Sequence, residues 1–398
     1  MIEKINNHTM QIKSKLPNIG TTIFTTMSKM ASDYQAINLG QGFPDFNADQ
    51  ELLNLVTDAM IAGHNQYPYM SGVAELRHVI SEKVDTLYGH KYDRDTEITI
   101  TSGATEAIMA AVLSTVNSGD EVIVIEPCYD CYVPAIKLAG GKPVFVQMIP
   151  PTQHKENFSV DWNQVKDSVN SKTRMLIINS PHNPTGAVFT DQDLDALEAI
   201  VSDTNIIVLS DEVYEHIVFD GNKHLSVASR PRLAERSFVI SSFGKTTHTT
   251  GWKIGYCCAP VVLTTELRKV HQFIVFTVPS PFQHALAAYT KNSQTYLTLP
   301  AFYQLKRDRL ALALRDTKFI PLNSPGTYFL LADYSNISDL NESEFSIWLA
   351  QKHGVVVIPV SAFYANPNDL LANHKLVRFC FAKKESTLDE AIERLKKV

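Results

Sequence analysis

The sequence predicts an α/β protein with a mostly parallel, seven-stranded sheet between helices and a smaller α+β domain beside it. Three observations carry this. From Glu97 onward, short β-branched runs alternate with helical patterns, the signature of a parallel sheet covered on both faces. After Pro281 the chain turns helical and then shows a second group of strands and helices. At 398 residues it also exceeds the usual size of one hydrophobic core.

The elements follow in order. Glu97 to Thr101 (EITIT) reads as a strand, SGA as a turn, and Thr105 to Asn117 as a helix with its apolar positions on one side. Strands are expected at Glu121 to Ile125, Pro143 to Gln147, Arg174 to Ile178, Ile206 to Ser210, Phe238 to Ser241 and Ile254 to Cys258, with an amphipathic helix from Asp191 to Ser202. The second group comprises Tyr328 to Leu331, Phe345 to Lys352, Val355 to Ile358 and Val377 to Ala382. A helix from Thr21 to Asp33 is expected in an N-terminal arm that packs on the small domain. The division is therefore 1–46 for the arm, 47–290 for the large domain and 291–398 for the small one.

Composition narrows the function classes. With 44% hydrophobic and 20% charged residues the chain can bury a large interior under a polar surface. A net charge of -6, with no basic stripe, disfavours binding to nucleic acid or to anionic lipid. The N-terminal MIEKINNHTMQIKSKLP lacks the apolar stretch of a secretory signal, and no apolar run approaches the length of a bilayer span, so a cytoplasmic protein is expected. The five cysteines suit reduced thiols; Cys128 and Cys131 form a CxxC, but with no second ligand pair they read as structural, and no metal site is expected.

The chemistry-bearing residues fall at the C-terminal ends of strands, where doubly wound sheets bind ligands. Ser102, Gly103, Ala104 and Thr105 sit where a strand gives way to a helix, so backbone N–H groups there would hold a phosphate; the same segment is also a common strand-to-helix turn. Asp211 ends a strand of Ile, Val and Leu, where a carboxylate needs a cationic partner such as a protonated pyridine nitrogen, unless it serves only as a helix cap. Tyr214 would bring a hydroxyl to the same ring, and Asn183, in SPHNPTG, stands on a rigid turn.

Lys245, in SSFGKTTHTTGWKIG, follows a strand and precedes what reads as a flexible Gly- and Thr-rich loop. Desolvation and the charge of Lys253 would depress its pKa, as an amine that forms a Schiff base requires. Ser242 and Lys253 offer a hydroxyl and a cation to a dianionic phosphate. Tyr129 would lay its ring on a planar ligand, or belong to the core. Arg378 is the one cation in an apolar strand, suited either to bidentate capture of a carboxylate or to a buried ion pair.

Taken in order, SGATEA, EPCYDCY, NPTG, DEVYE, SSFGK and VRFCFAK resemble the class I and II pyridoxal 5'-phosphate (PLP) aminotransferases of fold type I, over nearly the whole chain. With NLGQGFPDF near the start and GWKIG after the lysine, the sequence is most similar to the methionine aminotransferase and kynurenine aminotransferase (cysteine-S-conjugate β-lyase) branch. The resemblance implies PLP carried on Lys245, Asp211 at the pyridine nitrogen, and Asn183 and Tyr214 at the ring 3'-oxygen. It implies that Tyr129 stacks on the ring, that Ala104, Thr105, Ser242 and Lys253 meet the phosphate, and that Arg378 with Asn183 and Gly42 grips the substrate carboxylate. It further implies a homodimer, with Tyr67 supplied by the partner subunit.

Two positions depart from the family pattern in ways that touch specificity. Thr105 stands where some kynurenine enzymes place a tyrosine, and Phe24 where they place a tryptophan. Lys253 stands where many members carry arginine. Phe24, Tyr129, Tyr132 and a partner-derived Phe276 are expected to line an apolar side-chain pocket, favouring methionine and then aromatic donors, in a ping-pong exchange with a 2-oxo acid. The rival readings are a β-lyase on the same residues, a PLP-binding regulator, for which no helix-turn-helix precedes the fold, and a nicotinamide dehydrogenase, whose glycine fingerprint Gly40-Gln41-Gly42 lacks.

Overall fold

A computed structural model describes residues 12–17, 19–152, 155–369 and 372–398. Residues 1–11 of the expected arm lie outside the described residues. Seven strands form one sheet in the order Ile98–Thr101, Gly255–Cys258, Ser237–Ser242, Ile207–Asp211, Thr173–Asn179, Glu121–Glu126, Lys142–Gln147. All neighbours are parallel except Gly255–Cys258, which runs antiparallel to the strand on either side.

The sheet forms because each central strand is apolar on both sides. Ile123, Ile125, Leu176, Ile178 and Val208 enter one core, with Leu76 and Leu286 from covering helices. The intervening Val122, Val124, Met175, Ile177 and Leu209 enter another, beneath Ala107, Ala110 and Ala111 of the helix Gly103–Thr115. Side chains alternate faces along a strand, so continuous apolar runs are what a doubly covered sheet demands.

A four-stranded antiparallel sheet follows, in the order Ile358–Pro359, Leu376–Cys380, Phe329–Asp333, Ile320–Pro321. The helix Ile23–Asp33, capped by Thr22, packs Met27 and Ala31 against Val356, Ile358 and Phe363 beside this sheet. The expected strand Val355 to Ile358 is in fact two. Val355–Val356 pairs with Ile37–Asn38, and after Val357 the chain turns to the edge of Leu376–Cys380. The segment Val213 to Phe219, just past Asp211, packs into the core of this second sheet, which draws the two groups of strands together around the residues described next.

Candidate active site

Three parallel strands end side by side at Asn179, Asp211 and Ser242, and a cavity of about 300 Å³ opens beyond them. Asn179 ties two of these ends. Its amide donates to the carbonyl of Asp211 at 2.7 Å while its oxygen accepts the Asn183 N–H at 2.8 Å.

At one end of the cavity the helix Gly103–Thr115 begins. Ser102 makes no side-chain cap, so the first-turn N–H groups beside Ala104 and Thr105 keep their positive ends for a ligand. A Cβ on Gly255 would lie 2.8 Å from the Gly103 carbonyl carbon and 2.9 Å from the Ala104 nitrogen, so only glycine lets the strand support this turn so closely. Ser242 and Lys253 line the same end, together with Thr250, which sequence reasoning missed. Lys253 holds the left-handed φ of 56°, a strain of about 1–2 kcal/mol for a side chain with a Cβ. That turn brings its Nζ to 3.2 Å from where a Cβ on Gly103 would stand.

Asp211 is buried on the cavity wall. One carboxylate oxygen accepts the Tyr132 hydroxyl at 2.6 Å and the other the Val213 N–H at 3.3 Å; among the described residues no ion pair reaches it. Burial pushes its pKa up to about 6, against the opposing effect of those hydrogen bonds. Tyr132 therefore corrects an expectation. It does not line the cavity as a substrate contact, because its hydroxyl is drawn onto Asp211 and its ring is buried among Ile125, Ile177 and Phe189. Tyr129 and Tyr214 do line the cavity.

Lys245 belongs to the short helix Phe243–Thr246. Its Nζ donates to the Tyr328 hydroxyl at 2.9 Å and to the Gly42 carbonyl at 3.3 Å. Burial lowers its pKa to about 8, helped by the positive charges of Lys253 and Arg378. The stretch after it, expected as a flexible loop, is tied down by its own threonines: the Thr247 hydroxyl bonds the Phe243 carbonyl at 2.8 Å and the Thr249 hydroxyl at 2.7 Å.

Arg378 closes the far end and is 1% exposed. It donates to the Asn183 side-chain oxygen at 2.6 Å and to the Gly40 carbonyl at 3.0 Å, and its Nε has no partner. The Phe329 ring centroid lies 3.7 Å from the guanidinium carbon. No carboxylate pairs with Arg378 among the described residues, so a structural ion pair is not what holds it there. Phe24 and Gly42 complete this end; a Cβ on Gly42 would press to 2.7 Å from Phe329.

Tyr67 and Phe276, expected from a partner subunit, do not line the cavity of their own chain. They sit together on the outside, 83% and 47% exposed, with rings edge-on at 5.5 Å. The cysteines are unpaired, with burial raising the thiols of Cys128 and Cys131, and no helix among the described residues is long and apolar enough to cross a membrane.

A pocket at the carboxyl ends of a doubly wound sheet, with a soft amine and with an acid and an arginine that form no ion pair among the described residues, sits in a chain whose residues 34–395 match the family profile of aminotransferase class I and II. The chain belongs to that family. The methionine aminotransferase of Escherichia coli (strain K12) is 48% identical to it over 395 residues, covering 99% of this chain and 100% of that protein. A solved structure of YbdL from Escherichia coli, in which a methionine aminotransferase function was identified, matches with a TM-score of 0.93 at 48% identity over 98% of this chain and 100% of its own. Human kynurenine–oxoglutarate transaminase 1 is more distant, at 33% identity over 96% of this chain and 97% of its own. The chain is thus an aminotransferase of class I and II with the α/β fold of those enzymes, as its motifs led one to expect.

Proposed function

We propose that this aminotransferase uses PLP, held by Lys245, and takes an apolar L-amino acid, methionine first and aromatic residues next, as amino donor to a 2-oxo acid. Two buried ionisable groups that make no contact ion pair among the described residues carry the cofactor and substrate reading. A buried carboxylate and a buried guanidinium that each lack a counter-charge in contact are unfavourable. Asp211 and Arg378 line one cavity in that condition, with Lys245 also on its wall. A cationic ring nitrogen at Asp211 and a substrate carboxylate at Arg378 would neutralise both.

When bound, PLP supplies the electron sink that allows the Cα–H bond of the amino acid to break. The protein's residues do the rest. Asp211 keeps a proton on the ring nitrogen. The helix start at Gly103, with Ser242, Thr250 and Lys253, binds the phosphate. Tyr129 would cover the ring face, and Asn183 and Tyr214 would hold its 3'-oxygen. Lys245, whose softened amine is partly neutral near pH 8, would take the proton from the substrate Cα. Arg378 orients the substrate through its carboxylate.

The donor preference follows from charge and shape. Lys245, Lys253 and Arg378 are the cations of the cavity wall, and all three have tasks, so none remains for an acidic side chain. Phe24 and Phe329, with Ile108 and Val213, give the wall an apolar character. The similarity to methionine aminotransferase points the same way. We take residues 47–290 as the cofactor-holding domain, and 1–46 with 291–398 as the domain bearing Arg378. The exposed pair Tyr67 and Phe276 suits a homodimer in which each subunit completes the other's pocket. Turnover of a donor panel tests the substrate reading: methionine should lead, and a preference for aspartate or glutamate overturns it. Release of pyruvate and ammonia from cysteine conjugates, in place of an oxo acid, would mark lyase chemistry instead.

A further inference from the structure

Lys245 is hydrogen-bonded by two groups to which neither the motifs nor the cofactor assigns that contact, and both come from outside its sheet. Tyr328 immediately precedes the small-sheet strand Phe329–Asp333, and Gly42 follows the strand Ile37–Asn38. The three polar atoms form a closed knot: Lys245 donates to the Tyr328 oxygen at 2.9 Å and to the Gly42 carbonyl at 3.3 Å, and the Tyr328 hydroxyl donates to the same carbonyl at 2.5 Å.

The direction of the last bond sets the chemistry. A phenol beside an amine would ordinarily donate to the nitrogen lone pair and quench it as a base. Here the phenol proton is committed to a carbonyl, which has only acceptor capacity, so toward the amine Tyr328 can only accept. A neutral amine has two N–H bonds and one lone pair. With both N–H bonds placed on Tyr328 and Gly42, the lone pair is left facing away from them. Tyr328 is 0% exposed and braced edge-on by Tyr214 and Phe329, at 5.1 and 4.9 Å between ring centroids, so its oxygen is held in place.

We propose that Tyr328, with the Gly42 carbonyl, is a dock that holds the released amine of Lys245 with its lone pair toward the substrate Cα. This rests on the reading of Lys245 as the proton carrier. It makes Tyr328 a positioning residue, and it makes the lysine's aim depend on the packing of the arm and the small sheet against the large one.

The test is Tyr328→Phe, which removes one oxygen and keeps the bracing ring. In the cofactor-free chain, the pH dependence of Lys245 labelling by an amine reagent, read by mass spectrometry, should shift to lower pH, because the charged amine loses more than the neutral one when an acceptor is removed. Labelling of the exposed Lys29 should be unchanged as a reagent control, and an unchanged melting temperature reports an intact fold. In the loaded enzyme, kcat for the methionine half-reaction should fall roughly tenfold with little change in KM, and the Cα-deuterium isotope effect should grow. An unchanged labelling midpoint together with an unchanged isotope effect overturns the dock, as does a rise in KM at constant kcat. Wild-type protein that turns over no amino acid would sink the functional reading instead, and the labelling result would still stand on its own.

Discussion

The hydroxyl of Tyr132 donates to the carboxylate of Asp211 at 2.6 Å, from a tyrosine 2% exposed and 79 residues earlier in the chain. It gives Asp211 a strong partner on the side away from the cavity. Burial raises the pKa of Asp211 to about 6, and the Tyr132 hydrogen bond is the largest effect opposing that rise. Tyr132→Phe removes the opposition. A hydrogen bond to a charged group is worth about 1.5–3 kcal/mol, so kcat/KM should fall roughly 10- to 100-fold. The acidic limb of the pH–rate profile should move to higher pH, since the carboxylate then keeps its proton further into the neutral range.

Arg378 presents to the far end of the cavity a guanidinium that contacts no carboxylate among the described residues, with its carbon 3.7 Å from the Phe329 ring centroid. Lysine in its place keeps a charge but loses the planar fork and the stacking. Arg378→Lys should lower kcat/KM for methionine roughly 100-fold, mainly through KM, as loss of a charge-assisted bidentate contact implies. With the corresponding amine lacking a carboxylate, wild type and variant should bind equally weakly in a competition assay.

Gly255 lies with its would-be Cβ 2.8 Å from the Gly103 carbonyl carbon and 2.8 Å from the Ser241 carbonyl oxygen. Both are backbone, so neither can rotate aside. Gly255→Ala should destabilise the fold by about 1–3 kcal/mol and weaken phosphate binding at Ala104 and Thr105. Melting temperature and titration with inorganic phosphate or PLP read the two effects separately.

Glu342 acts at a distance from the cavity. One of its oxygens accepts the N–H groups of His374 and Leu376 at 3.0 and 2.9 Å, and the other that of Ser361, so it clasps both ends of a segment that carries Phe363 to within 4.9 Å of Arg378. Burial raises its pKa from 4.5 to about 7. A carboxyl raised on folding contributes stability that is fully present below the unfolded pKa and is lost as pH rises through the folded one. Stability should therefore decline by up to about 3 kcal/mol from this group between pH 4.5 and 7. Glu342→Gln should flatten that decline in denaturant titrations across the same window, at the expense of lower stability at pH 5, where the amide nitrogen faces an N–H donor.

Much of this architecture was readable from period alone. All seven strands of the large sheet fall where β-branched runs placed them, and Asp211 and Ser242 end their strands because polarity breaks the run there. What was not readable were relationships between residues far apart in the chain. Tyr132 begins a short helix, and nothing in EPCYDCY tells whether its hydroxyl faces a substrate or the carboxylate behind it. Tyr328 and Gly42 are 286 residues apart and meet where the pairing of Ile37–Asn38 with Val355–Val356, and bonds from Arg378, Cys380 and Lys383 to the carbonyls of residues 39–43, hold the arm on the small sheet. Two-residue strands leave no periodic signal, and Thr250 lay hidden in a stretch whose order comes from threonine hydroxyls.

The central claim is that Lys245 and Asp211 serve one aromatic cofactor. Titration of the purified chain with PLP, followed by visible absorption, tests it most directly. Wild type should develop one protein-bound band per chain that shifts when methionine is added and recovers with a 2-oxo acid. Lys245→Ala should show only the spectrum of the free cofactor and no turnover. A protein-bound band in that variant identical to the wild type's would contradict the assignment.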